Sequence, residues 1–244
     1  MLEVLNLRKS FKNIAAVQGV SFKAPDAQIT GLLGPNGAGK TTTLRILYTV
    51  LKPDSGTARV DGFDSVTATQ EVQQRIGVLP DSRGLYPRFT ARENVRYYGR
   101  LHGLRGAVLE QQIQDLVKLL DMQEFADRRT EGFSQGQRLK VAIARALVHQ
   151  PQNILLDEPT NGLDVMSTRA LRTVIRRFRD EGKCVLFSSH VMQEVAALCD
   201  TVIVITRGQV VAEGTPEQLR RTTGQENLED AFVAAIGSGE GLML

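Results

Sequence analysis

The 244-residue chain has no tryptophan, two cysteines, three histidines and a formal net charge of only +3. Each shortage closes off a class of function. Cys184 and Cys199 stand alone in apolar-leaning segments without a C-x-x-C pairing, which points away from redox or zinc chemistry and makes both small core residues. The small charge is too weak to hold a nucleic-acid backbone by bulk electrostatics, so no nucleic-acid partner is expected and only a local phosphate site remains open. The longest apolar stretches, such as Val202 to Ile205, fall far short of the ~20 residues that cross a bilayer, so direct membrane insertion is not expected either. Any membrane role has to come through a partner. Met1 to Phe11 carries Glu3, Arg8 and Lys9 in short alternation and lacks the apolar centre of a secretory signal, so a cytoplasmic chain is expected.

What the chain does contain is ordinary for a globular protein, and this length buries one good core without disulfides or metals. Leu2 to Leu5, Val17 to Phe22, Ile29 to Leu33, Thr57 to Val60 and Ile76 to Leu79 read as strands, with a helix running from Lys40 to Leu51. Strand signals vanish between about Asp81 and Gln150. There Ile113, Leu116, Val117 and Leu120 form one helical stripe, and Leu139, Ile143 and Leu147 another. Alternation resumes with strands at Asn153 to Leu156, Cys184 to Phe187 and Val202 to Ile205, and helices at Thr168 to Phe178 and Val191 to Leu198. The pattern implies an α/β fold with a mostly parallel sheet. Glu226 to Ile236, with Leu228, Ala231, Phe232 and Ala235 on one face, reads as a terminal helix packed on the domain, and Gly237 to Gly241 as a frayed tail.

Gly34, Pro35, Asn36, Gly37, Ala38, Gly39, Lys40 and Thr41 fit G-x-x-x-x-G-K-[ST], and the motif lies where its mechanism needs it, between an apolar strand and a helix. Glycines let backbone N–H groups surround a β-phosphate, the helix N-terminus adds its dipole, Lys40 reaches β- and γ-oxygens, and Thr41 is placed to ligate Mg²⁺. Thr42 belongs with the same nucleotide-binding set. Asn153 to Leu156 is an apolar run ending in Asp157 and Glu158. Asp157 suits the metal's hydration shell, whereas Glu158 can accept a proton from an attacking water. Phe133-Ser134-Gln135-Gly136-Gln137 opens the second helical stripe, with Ser134 as its cap and a candidate anion site; alone, an ordinary N-cap would be the simpler reading.

These three elements, in this order, resemble the ATP-binding cassette (ABC) family across Leu2 to Thr215. The resemblance implies a P-loop NTPase cassette with an antiparallel β subdomain, a nucleotide-binding α/β core at 1–80 and 151–225, an inserted helical subdomain at 81–150, and a C-terminal helix and tail at 226–244. It also implies two cassettes paired head to tail with ATP, so that Ser134, Gly136 and Gln137 of one chain close on the γ-phosphate held by the other. Asn161 to Asp164 resembles the loop that crosses this interface, and His190 resembles the switch histidine at the γ-phosphate. Phe11 resembles the adenine-stacking aromatic, although it lacks the hydroxyl of the family's usual Tyr. Asp81 stands where most members have a Gln near Mg²⁺, and Gln135 replaces a glycine. Leu85, Tyr86, Phe89, Tyr97 and Tyr98 fall where the family docks a membrane permease, with the helical core expected to claim at least half of them. Segments around Leu85, Thr90 and Leu228 resemble the subunits of two-chain bacterial exporters, the sodium-extruding ones among them, with drugs or lipids as alternative cargo. The rival readings are a soluble cassette ATPase of DNA repair or translation and a nucleotide-binding regulator without turnover.

Overall fold

The computed structural model describes residues 1–81, 84–225 and 227–237. Among them, β1 (Leu2–Phe11), β2 (Ile14–Ala24), β4 (Ser55–Val60) and β5 (Phe63–Asp64) form an antiparallel sheet in the order β2-β1-β4-β5. A second sheet runs β10-β9-β3-β8-β7-β6, with β3 (Gln28–Leu33), β6 (Ile76–Leu79), β7 (Asn153–Asp157), β8 (Cys184–Ser189) and β9 (Thr201–Thr206) parallel and β10 (Gln209–Gly214) antiparallel at the edge. The helices are α1 (Lys40–Leu47), α2 (Thr69–Arg75), α3 (Ala91–Leu101), α4 (Gly106–Leu119), α5 (Gln135–Leu147), α6 (Val165–Asp180), α7 (Met192–Leu198), α8 (Pro216–Thr223) and α9 (Leu228–Ile236).

Alternate residues of the parallel strands feed two apolar clusters, as a period of two requires. Ile29, Leu33, Ile154, Leu156, Val185 and Phe187 join the core shared with α3, α4, α5 and α6. Leu32, Leu155, Leu186 and Ile203 join α1 and the antiparallel sheet. The helical insert therefore has no separate core; its stripes continue onto one face of the sheet. Both cysteines are buried, which raises their thiols, Cys184 to about 12.

The parallel register brings functional positions to one sheet edge. Leu33 pairs with Ser189, Asp157 with Ser188 and Leu79 with Leu156, so Gly34, His190, Glu158 and Asp81 leave neighbouring strands at their carboxyl ends. A doubly covered parallel sheet binds ligands at this edge.

Several bounds differ from the sequence expectation. The first helix stops at Leu47, not Leu51, because Thr49 takes φ 70° and the N–H groups of Val50 and Leu51 turn back to Arg45 O. The first two strands are longer than their apolar runs, with register shifts in between that disrupt alternation. Ala231 is buried, Phe232 packs against the core and α9 contacts α7 and α8, so the terminal helix docks on the domain. Glu226 and the tail beyond Gly237 lie outside the described residues.

Candidate nucleotide site

The loop from β3 to α1 is tightly enclosed. A Cβ on Gly34 would sit 2.1 Å from Ile205 O, and one on Gly39, at φ 102°, would sit 2.5 Å from Ala16 O, so neither position admits a side chain. Gly34 and Pro35 face inward through their carbonyls, which accept from Lys40 Nζ at 2.7 and 3.2 Å. Lys40 is 5% exposed and also meets Glu158 Oε1 at 3.2 Å.

Asp157 lies beneath the loop. Its Oδ1 accepts from Ser188 Oγ at 2.6 Å and from Thr41 Oγ1 at 3.2 Å. Burial raises its carboxyl above the usual range; the two hydroxyls oppose this, and the nearby charges of Glu158 and Asp81 add to it. Thr41, Asp157 and Asp81 offer hard oxygen donors, but among the described residues no cluster of three or more His, Cys, Asp or Glu forms a closed metal cage. That donor set fits Mg²⁺, which takes one or two carboxylates and completes its shell from phosphate and water.

Glu158 adopts φ 47°, a left-handed conformation that is costly for a residue with a side chain. Its N–H donates to Ser188 O at 3.2 Å and Oγ at 3.1 Å, which fixes the turn. Oε2 lies 2.8 Å from His190 Nδ1, while the buried Oε1 has the Lys40 contact and, among the described residues, no hydrogen bond. One carboxylate oxygen is thus oriented, and the other is available as a proton acceptor.

A cavity of about 520 Å³ joins these groups. It is lined by Asn36 to Thr42, Asp81, Glu158 and His190, and at its far end by Phe11, Ile14 and Ala15 from the hairpin of the antiparallel sheet. Phe11 is half exposed, with Lys9 Nζ 5.7 Å from its ring centroid. Asn161 also lines the cavity, and its N–H donates to Glu158 O at 3.1 Å.

Ser134, Gly136 and Gln137 do not line this cavity. Ser134 caps α5 in a reciprocal box: Oγ accepts from Gln137 N at 3.2 Å, and Gln137 Oε1 accepts from Ser134 N at 3.1 Å. Gly136 packs against α6, where an added Cβ would lie 2.8 Å from Ser167 Oγ. Asp164 caps α6 through Ser167 N and Oγ, both at 2.8 Å.

Of the five residues around the Asp81 segment, Leu85 and Tyr98 pack on the core, fewer than the half expected. Tyr86, Phe89 and Tyr97 form an exposed aromatic cluster with centroids 5.2 to 6.3 Å apart. Sequence reasoning missed Ser188 as the support of both carboxylates. Its only signal was a position opposite Asp157, visible once strand order is known.

A family model for the ABC transporter matches residues 17–161, more than half of the chain. The ABC transporter ATP-binding protein NatA of Bacillus subtilis (strain 168) is 47% identical over 229 residues, 93% of each chain. The Nod factor export ATP-binding protein I of Ralstonia nicotianae is 36% identical over 90% of this chain and 68% of its own. A solved dimeric, post-hydrolysis ATP-binding cassette bound to ADP and Pi superposes with a TM-score of 0.80 at 26% identity, over 88% of this chain and 98% of that one. With this fold and this pocket, the chain belongs to the ABC transporter family.

Proposed function

We infer that the chain is the ATP-binding and ATP-hydrolysing subunit of a two-component ABC exporter. The observation that carries this reading is the convergence of Lys40, Thr41, Glu158 and His190 on one cavity, with Asp157 directly beneath Thr41. Phe11 stacks on adenine at the cavity's far end, and the loop from Asn36 to Thr42 surrounds the phosphates. Lys40 exchanges Glu158 for β- and γ-oxygens, which frees Oε1 to accept the proton of the attacking water. His190 keeps the other carboxylate oxygen in place. Thr41, Asp157 and Asp81 hold Mg²⁺, which when bound neutralises phosphate charge.

The separation of Ser134, Gly136 and Gln137 from this cavity supports a site completed by a second copy, head to tail, and the similarity to a dimeric cassette supports it further. The exposed Tyr86, Phe89 and Tyr97 cluster is the docking surface for a permease, which carries the cassette on the cytoplasmic face of the membrane. No described helix is long and apolar enough to cross a membrane. An export role draws support from the Nod factor export relative. Sodium is the cargo the sequence resemblance favours, and the permease selects it.

The test is Glu158→Gln, which keeps shape while removing basicity. Phosphate release should fall by about 10²–10⁴-fold. Unhydrolysed MgATP should then hold two subunits together by mass action, and adding Ser134→Arg should separate them. Gel filtration with light scattering reads both. Wild-type hydrolysis by Glu158→Gln removes the base assignment; a mutant that binds MgATP yet stays monomeric at raised concentration removes the head-to-tail site.

A further inference from the structure

Glu194 is a buried carboxylate that none of the chemistry above uses. It lies in the first turn of α7, on the inner face with Val195 and Leu198, and its Oε2 accepts from the hydroxyl of Thr160. Among the described residues its carboxylate has no ion pair. An acid in the first turn meets the helix dipole equally well from solvent, and a buried carboxylate without a cation is costly. Neither the dipole nor packing therefore accounts for a glutamate on this face.

The two segments that Glu194 joins are those that carry Glu158 and His190. β7 and β8 stay in register as far as Asp157 and Ser188. Beyond that pair one segment turns at Glu158, with φ 47°, through Thr160 toward the Asp164 cap of α6, and the other passes through His190 into α7. Two side-chain bonds then join the diverging segments: Glu158 Oε2 with His190 Nδ1 at 2.8 Å, and Thr160 with Glu194. The second bond lies two residues further along one segment and four along the other, so the pair forms an inner and an outer rung. The inner rung is open to solvent at His190, and contacts held from an exposed side chain are weak restraints. The outer rung ends on a buried acceptor. The left-handed backbone at Glu158 also needs its surroundings to hold it, and Leu163 N, which donates to Thr160 O at 3.0 Å, fixes Thr160 from the far side.

We propose that Glu194 is a positioning residue for hydrolysis: through the Thr160 hydroxyl it holds the segment that carries Glu158 against the helix that follows His190, and so keeps the inner rung closed. The inference rests on the function proposed above, with Glu158 as the proton acceptor and His190 as its support. Glu194 touches neither nucleotide nor water in this scheme and acts only by fixing the distance between those two side chains. Its effect therefore falls on the chemical step and leaves the binding of MgATP to the phosphate loop.

Replacing both members of the outer rung by apolar groups of similar shape, Thr160→Val with Glu194→Met, leaves no buried polar group unpaired, so the fold should be kept. In this double variant KM for MgATP should stay within about threefold of the parent while kcat falls about tenfold or more, since a misplacement of about 1 Å costs on the order of 10²-fold. Thr160→Ser and Glu194→Gln, which keep the hydroxyl donor and an oxygen acceptor, should each hold kcat within about threefold of the parent. Because the outer rung acts through the inner one, adding the Val and Met pair to His190→Ala should lower kcat by less than about threefold further. If the double variant does not fold, Glu194→Asp, which keeps the charge but withdraws the carboxylate by one methylene, takes its place with the same expectation. A kcat within about twofold of the parent overturns the inference. So does a loss in the His190→Ala background as large as in the parent, or an equal loss in the two conservative variants. A parent that releases no phosphate, or one whose release survives Glu158→Gln, removes the function reading and the inference with it.

Discussion

His190 Nδ1 sits 2.8 Å from Glu158 Oε2, so the imidazole and Lys40 divide the two carboxylate oxygens between them. His190→Ala leaves Lys40 as the main restraint on Glu158. Turnover should fall about 10²-fold, the lower part of the range for positioned proton transfer, with nucleotide affinity little changed. Phosphate release and calorimetry on the same preparation measure the two terms. Wild-type turnover would remove His190 from the orienting role.

Lys40 is nearly buried and points its ammonium at carbonyls and a carboxylate. Lys40→Ala removes the fixed cation proposed to meet the phosphates and leaves Glu158 Oε1 without its contact, so nucleotide binding should be lost. Unchanged affinity by calorimetry would contradict the site.

Asp81 contributes to the raised pKa of Asp157. Asp81→Gln supplies a neutral oxygen and lifts that repulsion, so turnover at saturating Mg²⁺ should be kept or raised. Complete inactivity would show that the carboxylate has a task of its own.

Gly136 tests packing against function. Gly136→Ala pushes a methyl to 2.8 Å from Ser167 Oγ, which Asp164 holds in place, and overpacking of this kind costs about 1–3 kcal/mol. Adding Ser167→Ala leaves only an ordinary contact at 3.7 Å, so the double variant should regain the loss and add the helix preference of Ala over Gly. Urea unfolding of the four proteins of the cycle measures this coupling. Additive effects would exclude the contact as the reason for glycine.

His149 is stacked on His102, with ring centroids 3.6 Å apart and planes 5° from parallel. Its Nε2 bonds Ile76 O at 2.9 Å, and its buried Nδ1 has no hydrogen-bond partner among the described residues. Burial, with a smaller push from His102, lowers its pKa from 6.5 to about 4. Between those values the unfolded chain binds a proton that the folded chain refuses, so this residue's contribution to stability is lost as pH falls through the window. The slope is at most about 1.4 kcal/mol per pH unit. Denaturant unfolding between pH 7 and pH 4 should give a flatter profile for His149→Gln than for wild type; equal slopes would contradict the assignment.

The phosphate loop and the Asp157-Glu158 strand end were legible because each is a local string with a mechanism attached, and their flanks supplied the strand and helix that the mechanism needs. Three of the missed elements share a physical cause. α2 and α8 bury one side chain each, Val72 and Leu219, which is too little for a stripe, and β10 is an edge strand with no fully buried residue. Ser188 and Asn94 were invisible for another reason: their value comes from partners in register or across a loop, and neither relation is written in the residues beside them.

The order of strands also fixes a schedule for synthesis. β3 sits between β8 and β9, and β8 begins only at Cys184. The antiparallel sheet of β1, β2 and β4 can close from the first sixty residues alone, whereas the strand that carries the phosphate loop emerges from the ribosome long before either neighbour exists. Ile29, Leu32 and Leu33 are therefore without their final cover for most of translation, a span in which nascent chains depend on chaperones. The cavity stays incomplete during that span, because His190 of its lining arrives in the last quarter of the chain.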